Sequence, residues 1–221
     1  MSARRKRVVA FISGGGSNML ALAKAAADPA YPAEIVAVFS DKADAGGLAK
    51  AEALGIPVHA FPRRDFADKD AHEAAILAAL DGYAPDLICL AGYMRLLSGA
   101  FIARYEGRIL NIHPALLPLF PGLHTHQRAI DAGMRIAGCT VHFVTEGMDE
   151  GPSIVQAAVP VTPEDTADTL AARVLTVEHR SYPLALRLVA DGRVRMEGGK
   201  AVADGPLPAA EGAYLISPAA D

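Results

Sequence analysis

Val8-Val9-Ala10-Phe11-Ile12-Ser13-Gly14-Gly15-Gly16-Ser17-Asn18 is the stretch that decides how the rest of this chain is read. Five apolar residues in a row, bounded by glycine, suit a strand buried on both faces, as in a parallel sheet. An alanine-rich helix, Met19 to Ala27, follows and stops near Asp28-Pro29. Strand, glycine loop and helix together turn backbone N–H groups and a helix N-terminus toward an anion. Glycines let the backbone approach closely, and Ser17 and Asn18 are placed to cap the helix or donate to a ligand. Two familiar versions of the loop do not fit. A P-loop needs Lys and then Ser/Thr, and a dinucleotide fingerprint needs a third glycine where Met19 stands. The residues alone leave a phosphate cradle and a plain tight turn both open.

Working outward, Ile35 to Phe39 reads as a second strand and Asp44 to Leu54 as a second helix closed by Gly55. Ile56 to Phe61 is a third strand, with Pro57 placing its start near a sheet edge. Lys69 to Leu80 is an amphipathic helix, and Asp86 to Ala91 a very apolar, central strand. Its exit, Gly92-Tyr93-Met94-Arg95-Leu96-Leu97, is apolar enough to be either core or a wall for a flat aromatic ligand. With a strand at Arg108 to Asn111, the alternation predicts an α/β fold, a Rossmann-like doubly wound and mostly parallel sheet. Gly138 to Val144 and Ser153 to Val159 are expected to form an antiparallel extension appended to it. Thr162-Pro163-Glu164-Asp165 reads as a helix start capped by Thr162, with Pro183 kinking or splitting the helix later. Arg193 to Glu197 and Lys200 to Val202 suit a terminal hairpin.

Asn111-Ile112-His113-Pro114-Ala115-Leu116-Leu117-Pro118 follows the last parallel strand. In open α/β sheets ligands sit at the carboxyl ends of strands. Pro114 restricts His113 to extended backbone. A held imidazole can manage a proton near neutral pH, and a held amide can donate to a developing oxyanion, which is what carbonyl transfer needs. A histidine at such a place is nonetheless most often a surface or satisfied core residue. Asp149, in the loop Thr145 to Pro152, needs no role as a turn residue, yet a carboxylate there would orient His113 if the two met. His124 and His126 lack a third ligand at sensible spacing, so no metal is expected.

The 221 residues suit a single domain, with 1–7 as a solvated basic arm and about 204–221 as a loosely held tail. Hydrophobic residues at 52% and charged residues at 21% exclude a disordered chain. The net charge of −4 makes no case for nucleic acid, and Arg4-Arg5-Lys6-Arg7 is too short to change that. The run after it is too short for a signal peptide, and nothing approaches the ~18–20 apolar residues of a membrane span. Cys89 and Cys139 lie in apolar runs and read as buried small hydrophobes. A cytoplasmic enzyme is the expected class.

With these residues in hand, the chain resembles the glycinamide ribonucleotide formyltransferases of purine biosynthesis. The resemblance runs from Val8 to about Glu197 and rests on six motifs in order: Ile12 to Asn18, Ala91 to Arg95, Asn111 to Pro118, Pro121 to His126, Asp149 to Pro152, and Glu178-His179 with Tyr182-Pro183. It implies transfer of a formyl group from N10-formyltetrahydrofolate, a co-substrate, to the amine of glycinamide ribonucleotide. The products are formylglycinamide ribonucleotide and tetrahydrofolate, in the third step of de novo purine biosynthesis. Direct attack through a tetrahedral intermediate is implied, with neither metal nor covalent enzyme intermediate. By resemblance Asn111, His113 and Asp149 are catalytic. Gly16, Ser17, Asn18 and Glu178 bind the ribonucleotide. Lys69, Met94, Arg95, Leu96, Leu97, Asn111, Thr145, Glu146, Gly147 and Met148 bind the folate. Lys69 stands where the family commonly has arginine, Ala115 where it has serine, and Leu175 where a polar residue would be unsurprising. The partners implied are small molecules, with no nucleic acid and no membrane; monomer and homodimer are both compatible.

Formyltetrahydrofolate hydrolases and methionyl-tRNA formyltransferases share the Asn-x-His and Asp machinery. A hydrolase is expected to carry a regulatory domain before Val8, and the tRNA enzyme an RNA-binding domain after Glu197. A dinucleotide-binding module, with Asp41 as its ribose acid, is the rival from another class, and the residue at position 19 speaks against it.

Overall fold

In the computed structural model residues 4–207 are described. A seven-stranded sheet runs through the chain. Its strands are β1 (Lys6–Ile12), β2 (Ala33–Ser40), β3 (Val58–Ala60), β4 (Leu87–Leu90), β5 (Ile109–His113), β6 (Ile136–Phe143) and β7 (Ser153–Pro160). Their spatial order is β3-β2-β1-β4-β5-β6-β7, with the first five parallel, β6 antiparallel to β5 and β7 antiparallel to β6. The helices are α1 (Ser17–Ala26), α2 (Gly46–Ala53), α3 (Lys69–Tyr83), α4 (Gly99–Arg104), α5 (Thr125–Asp131) and α6 (Ala167–Ala190). A separate hairpin, β8 (Val194–Glu197) with β9 (Lys200–Ala203), closes the described chain. The doubly wound, mostly parallel sheet is as expected, and β4 is its central strand.

Alternation along β1 divides the core in two. Val8, Ala10 and Ile12 face a layer built from α1, α2, α5 and α6, including Leu22, Leu48, Ala129 and Leu186. Val9 and Phe11 face the other layer, with Ile76 and Leu80 of α3 and Phe101 and Ile102 of α4. Phe11 stacks on Phe39 at 5.5 Å and meets Tyr93 edge-on at 5.2 Å. Period-2 burial on both faces is why these strands read as continuous apolar runs. Cys89 and Cys139 are free and buried, and burial pushes their thiols up to about 12 and about 11. Among the described residues no helix is long and apolar enough to cross a membrane.

Several local expectations change. The basic residues at 4–7 are not a solvated arm: Lys6 opens β1, Arg4 and the Arg7 backbone bond Asp86, and Arg5 Nε donates to Tyr31 O at 3.0 Å. Arg5 also reaches the carbonyls of Ala26 and Ala33, so its guanidinium is consumed by acceptors from the end of α1 to the start of β2. Residues 204–207 fold back on the hairpin, where Asp204 N donates to Arg193 O; the rest of the expected tail lies outside the described residues. Helix α4 was hidden in a short interval between two apolar runs. Ser98 caps it, accepting from Phe101 N at 3.2 Å. The β6–β7 pair, by contrast, extends the parallel half antiparallel as expected, with β6 pairing directly with β5.

Helix α6 starts at Thr166 rather than Thr162. Thr166 and Thr169 form a reciprocal capping box, which satisfies two backbone donors at once. Pro183 sits inside the helix without splitting it. Beside it the Tyr182 hydroxyl lies 3.1 Å from Leu90 O and 3.0 Å from Leu110 O, bracing the end of β4 against β5. Ahead of the helix, Asp165 takes a two-pronged contact from Arg173 at 2.6 and 2.8 Å. The Arg173 guanidinium holds the Asp165 carboxyl well below the usual carboxylate range. A depressed carboxylate contributes stability that is present above its unfolded value and lost as pH falls toward its folded one. Asp165→Asn is therefore expected to be less stable than the wild type at neutral pH, with the gap closing as pH falls below about 4. Urea midpoints measured down the acid range check this, and a gap independent of pH would contradict it.

Candidate active site

The parallel strands β1, β4 and β5 end at one edge, and the polar residues gather there. Asn111 and His113 lie on β5 itself, not in the loop after it, and alternate residues of a strand share a face. Pro114 then ends the pairing, leaving His113 extended opposite Thr140. Asn111 pairs in register with His142 of β6. A cleft of about 550 Å³ opens over them.

Burial and hydrogen bonding define the protonation pattern. His142 is 2% exposed, and its Nδ1 lies 2.8 Å from the carbonyl oxygen of Phe143. A carbonyl only accepts, so Nδ1 carries the proton; burial holds the His142 pKa below its ordinary value and the ring neutral. Its Nε2 is then an acceptor, 3.2 Å from Asn111 Nδ2. That contact orients the Asn111 amide with its N–H groups toward His142 and the cleft. The second amide contact, to Asp149 Oδ1, is 3.5 Å long.

His113 is 5% exposed and held at both nitrogens. Nε2 lies 2.9 Å from Phe120 O, and Nδ1 lies 3.3 Å from Asp149 Oδ2. Both partners are acceptors, an arrangement that the doubly protonated ring satisfies completely. Asp149 adopts a left-handed backbone at φ 57 and also accepts from Gly122 N at 2.9 Å. Two residues on, Gly151 lets the loop return to β7: a Cβ there would sit 1.7 Å from Phe143 O.

At the β1 edge, Gly16 occupies the left-handed region at φ 68 and is itself the N-cap of α1, without a side-chain cap. Ser17 and Asn18 therefore do not cap the helix, and its first N–H groups have no side-chain cap among the described residues. Gly16 must be glycine twice over, since a Cβ would also lie 2.9 Å from the Gly47 Cα. Asn18 instead donates to Glu178 Oε2 at 2.7 Å across the cleft floor. Burial raises the Glu178 pKa, with the Asn18 bond opposing. Asn18 Oδ1 is buried with no partner among the described residues, an acceptor waiting for a donor.

Of the expected site residues, Asn111, His113, Asp149, Asn18, Glu178, Met94, Arg95, Leu96, Leu97, Thr145, Glu146, Gly147 and Met148 all line the one cleft. Gly16 and Ser17 stand just behind Asn18, and neither they nor Lys69 line it. Lys69 begins α3, with its ammonium 3.7 Å from Glu73, which in turn bonds Ser98 next to Leu97. Met94, Leu96, Leu123 and Met148 expose large apolar surface around the mouth. Asp41 is buried against Arg95 Nε at 2.8 Å and is not free to meet a ribose. Sequence reasoning missed His142, Phe120 and Gly122. His142 had a signal, a lone imidazole in an apolar strand, but its meaning needed the β5–β6 register. Among the described residues no three His, Cys, Asp or Glu side chains converge to hold a metal.

The tautomer assignment is testable. Nitrogen NMR at neutral pH is expected to find His142 neutral and protonated at Nδ1. Protonation at Nε2 would reverse the Asn111 amide.

Comparison with known proteins agrees with this geometry. Residues 6–186 match the family described as formyl transferase. The chain is 46% identical over 198 residues to phosphoribosylglycinamide formyltransferase of Escherichia coli, covering 90% of this chain and 93% of that one. The crystal structure of phosphoribosylglycinamide formyltransferase from Brucella melitensis superposes with a TM-score of 0.82 at 75% identity, over 85% of this chain and 96% of that one. A formyltetrahydrofolate deformylase from Pseudomonas syringae superposes at 0.84 with 27% identity, over 91% of this chain and 66% of that one. With a held Asn/His/Asp set at the sheet edge and a family match over most of its length, the chain belongs to the formyl transferase family.

Proposed function

We propose that this chain is a cytoplasmic phosphoribosylglycinamide formyltransferase that moves the formyl group of N10-formyltetrahydrofolate to the amine of glycinamide ribonucleotide. The observation that carries the reading is the meeting of Asn111, His113 and Asp149 in one cleft, between an apolar wall and the N-terminus of α1.

The two halves of the cleft suit two substrates. Tyr93, Met94, Leu96, Leu97, Ile102 and Val144 offer a flat apolar wall to a pterin. The uncapped N-terminus of α1 suits a phosphate, and Asn18 Oδ1 with the Glu178 carboxyl suits donors on the ribonucleotide. Attack of the amine on the formyl carbon develops an oxyanion. The Asn111 N–H that makes only a 3.5 Å contact to Asp149 is available to it, and the His113 Nδ1–H, held by Asp149 only at 3.3 Å, is shared with it as a second donor. His113 then passes a proton to the departing folate nitrogen and recovers the one that the attacking amine loses, while Asp149 keeps the imidazole oriented and compensates its charge. The supports for His113 and Asp149, from Phe120 O and Gly122 N, hold both groups in place beside the reacting carbon.

His113→Ala and Asp149→Ala are expected to fold as the wild type and to lose about 100- to 10,000-fold in turnover. Asn111→Ala is expected to lose about 100- to 1,000-fold. Near-full rates in His113→Ala and Asp149→Ala would remove the mechanism. Folate absorbance, followed with and without glycinamide ribonucleotide, tests the function itself. Loss of the formyl group only with the ribonucleotide present establishes transfer. Release of formate without it would instead favour a formyltetrahydrofolate deformylase, the activity named for the Pseudomonas syringae protein.

A further inference from the structure

One short segment holds both members of the His113–Asp149 pair. The carbonyl of Phe120 accepts from His113 Nε2, and two residues later Gly122 N donates to Asp149 Oδ2, each at 2.9 Å. For the chain to present both groups inward, Phe120 takes a left-handed backbone at φ 55 and His124 another at φ 57. Residues with side chains keep that conformation only where their surroundings hold it.

What holds it is Arg128, from α5. Its Nη1 donates to Pro121 O at 2.6 Å and reaches Leu123 O at 3.4 Å. Its guanidinium carbon lies 5.4 Å from the centre of the Phe120 ring. Three contacts thus fall on residues 120, 121 and 123, bracketing the carbonyl and the N–H that grip His113 and Asp149. Arg128 itself is exposed and does not line the cleft. A planar guanidinium holds its donors in a fixed fork while its face lies over a ring, whereas an ammonium on a flexible stem is a compact point charge that holds such a geometry less firmly.

We propose that Arg128 is a positioning residue for formyl transfer: itself outside the cleft lining, it clamps segment 120–123, and the clamped segment keeps His113 and Asp149 aligned. The proposal rests on the function argued above. It explains why an exposed arginine is bound to loop carbonyls instead of solvent, and why two strained residues persist beside the site.

The test compares wild type, Arg128→Ala, Arg128→Met and Arg128→Lys by steady-state kinetics, thermal melting and amide hydrogen exchange. Misplacing a reacting group by about 1 Å costs on the order of 100-fold, so Arg128→Ala is expected to lose about 10- to 100-fold in kcat. KM for both substrates should stay within about twofold, because uniform binding is untouched. Amides of 120–123 should exchange faster, and Arg128→Met, which keeps the apolar stem over Phe120, should behave like Arg128→Ala. Arg128→Lys should recover only part of the rate. A lower melting temperature with kcat unchanged would overturn the proposal and leave Arg128 a contact of α5 alone. A loss confined to KM would also overturn it. If the wild type itself transfers no formyl group, the functional reading fails instead. The exchange comparison then still decides whether Arg128 clamps the segment: unchanged exchange means that it does not.

Discussion

The antiparallel pairing of β6 against β5 is the constraint on which this site depends. Here β6 starts beside the carboxyl end of β5 and runs back along it, leaving beside its start, where Val144 N donates to Ile109 O. That places His142 opposite Asn111 and Thr140 opposite His113, and the loop that follows folds back over β5 to bring Asp149 beside His113. The Thr140 hydroxyl donates to Ala115 O at 2.7 Å and accepts from Leu117 N at 3.0 Å, fixing the chain just after His113. Pairing and loop path together make a site from residues 38 positions apart.

A cluster of buried polar groups persists only if its members complement one another, because an unpaired buried polar group or charge is costly. His142 stays neutral and gives Asn111 an acceptor. His113 sits between a carbonyl and a carboxylate. Asn18 meets Glu178, whose pKa burial raises. Imperfections remain where a ligand can complete them: the free Asn18 Oδ1, the uncapped start of α1 and the exposed apolar rim of Met94, Leu96, Leu123 and Met148. Strained backbone also concentrates here, at Phe120, His124 and Asp149, as expected where surroundings trade local comfort for placement.

Much of this was legible beforehand because it is local. Continuous apolar runs marked β1 and β4, and glycine with alanine marked the loop and helix that follow. Pro114 restrained His113 through a covalent neighbour effect. Asn111, His113 and Asp149 were named from motifs, but nothing in residue spacing said that they meet. Local rules misled where a distant partner won. Arg4 and Arg5 looked solvated until Asp86 and the end of α1 claimed them. Thr162 looked like a cap until the Thr166–Thr169 pair proved the better one. Lys69 fitted a motif position, yet its helix carries it outside the cleft lining.

The sequence by itself determined the α/β alternation, the parallel half of the sheet, the burial of both cysteines and the residue types that carry the chemistry. These follow from hydrophobic period, proline and glycine geometry and side-chain functional groups, all of which act within a few residues. Only the tertiary structure decided that His142 orients Asn111, that Phe120 and Gly122 grip His113 and Asp149, and that Arg128 braces the segment between them. Those contacts depend on strand register, loop path and a few ångströms of approach between distant segments, which the order of residues along the chain does not display.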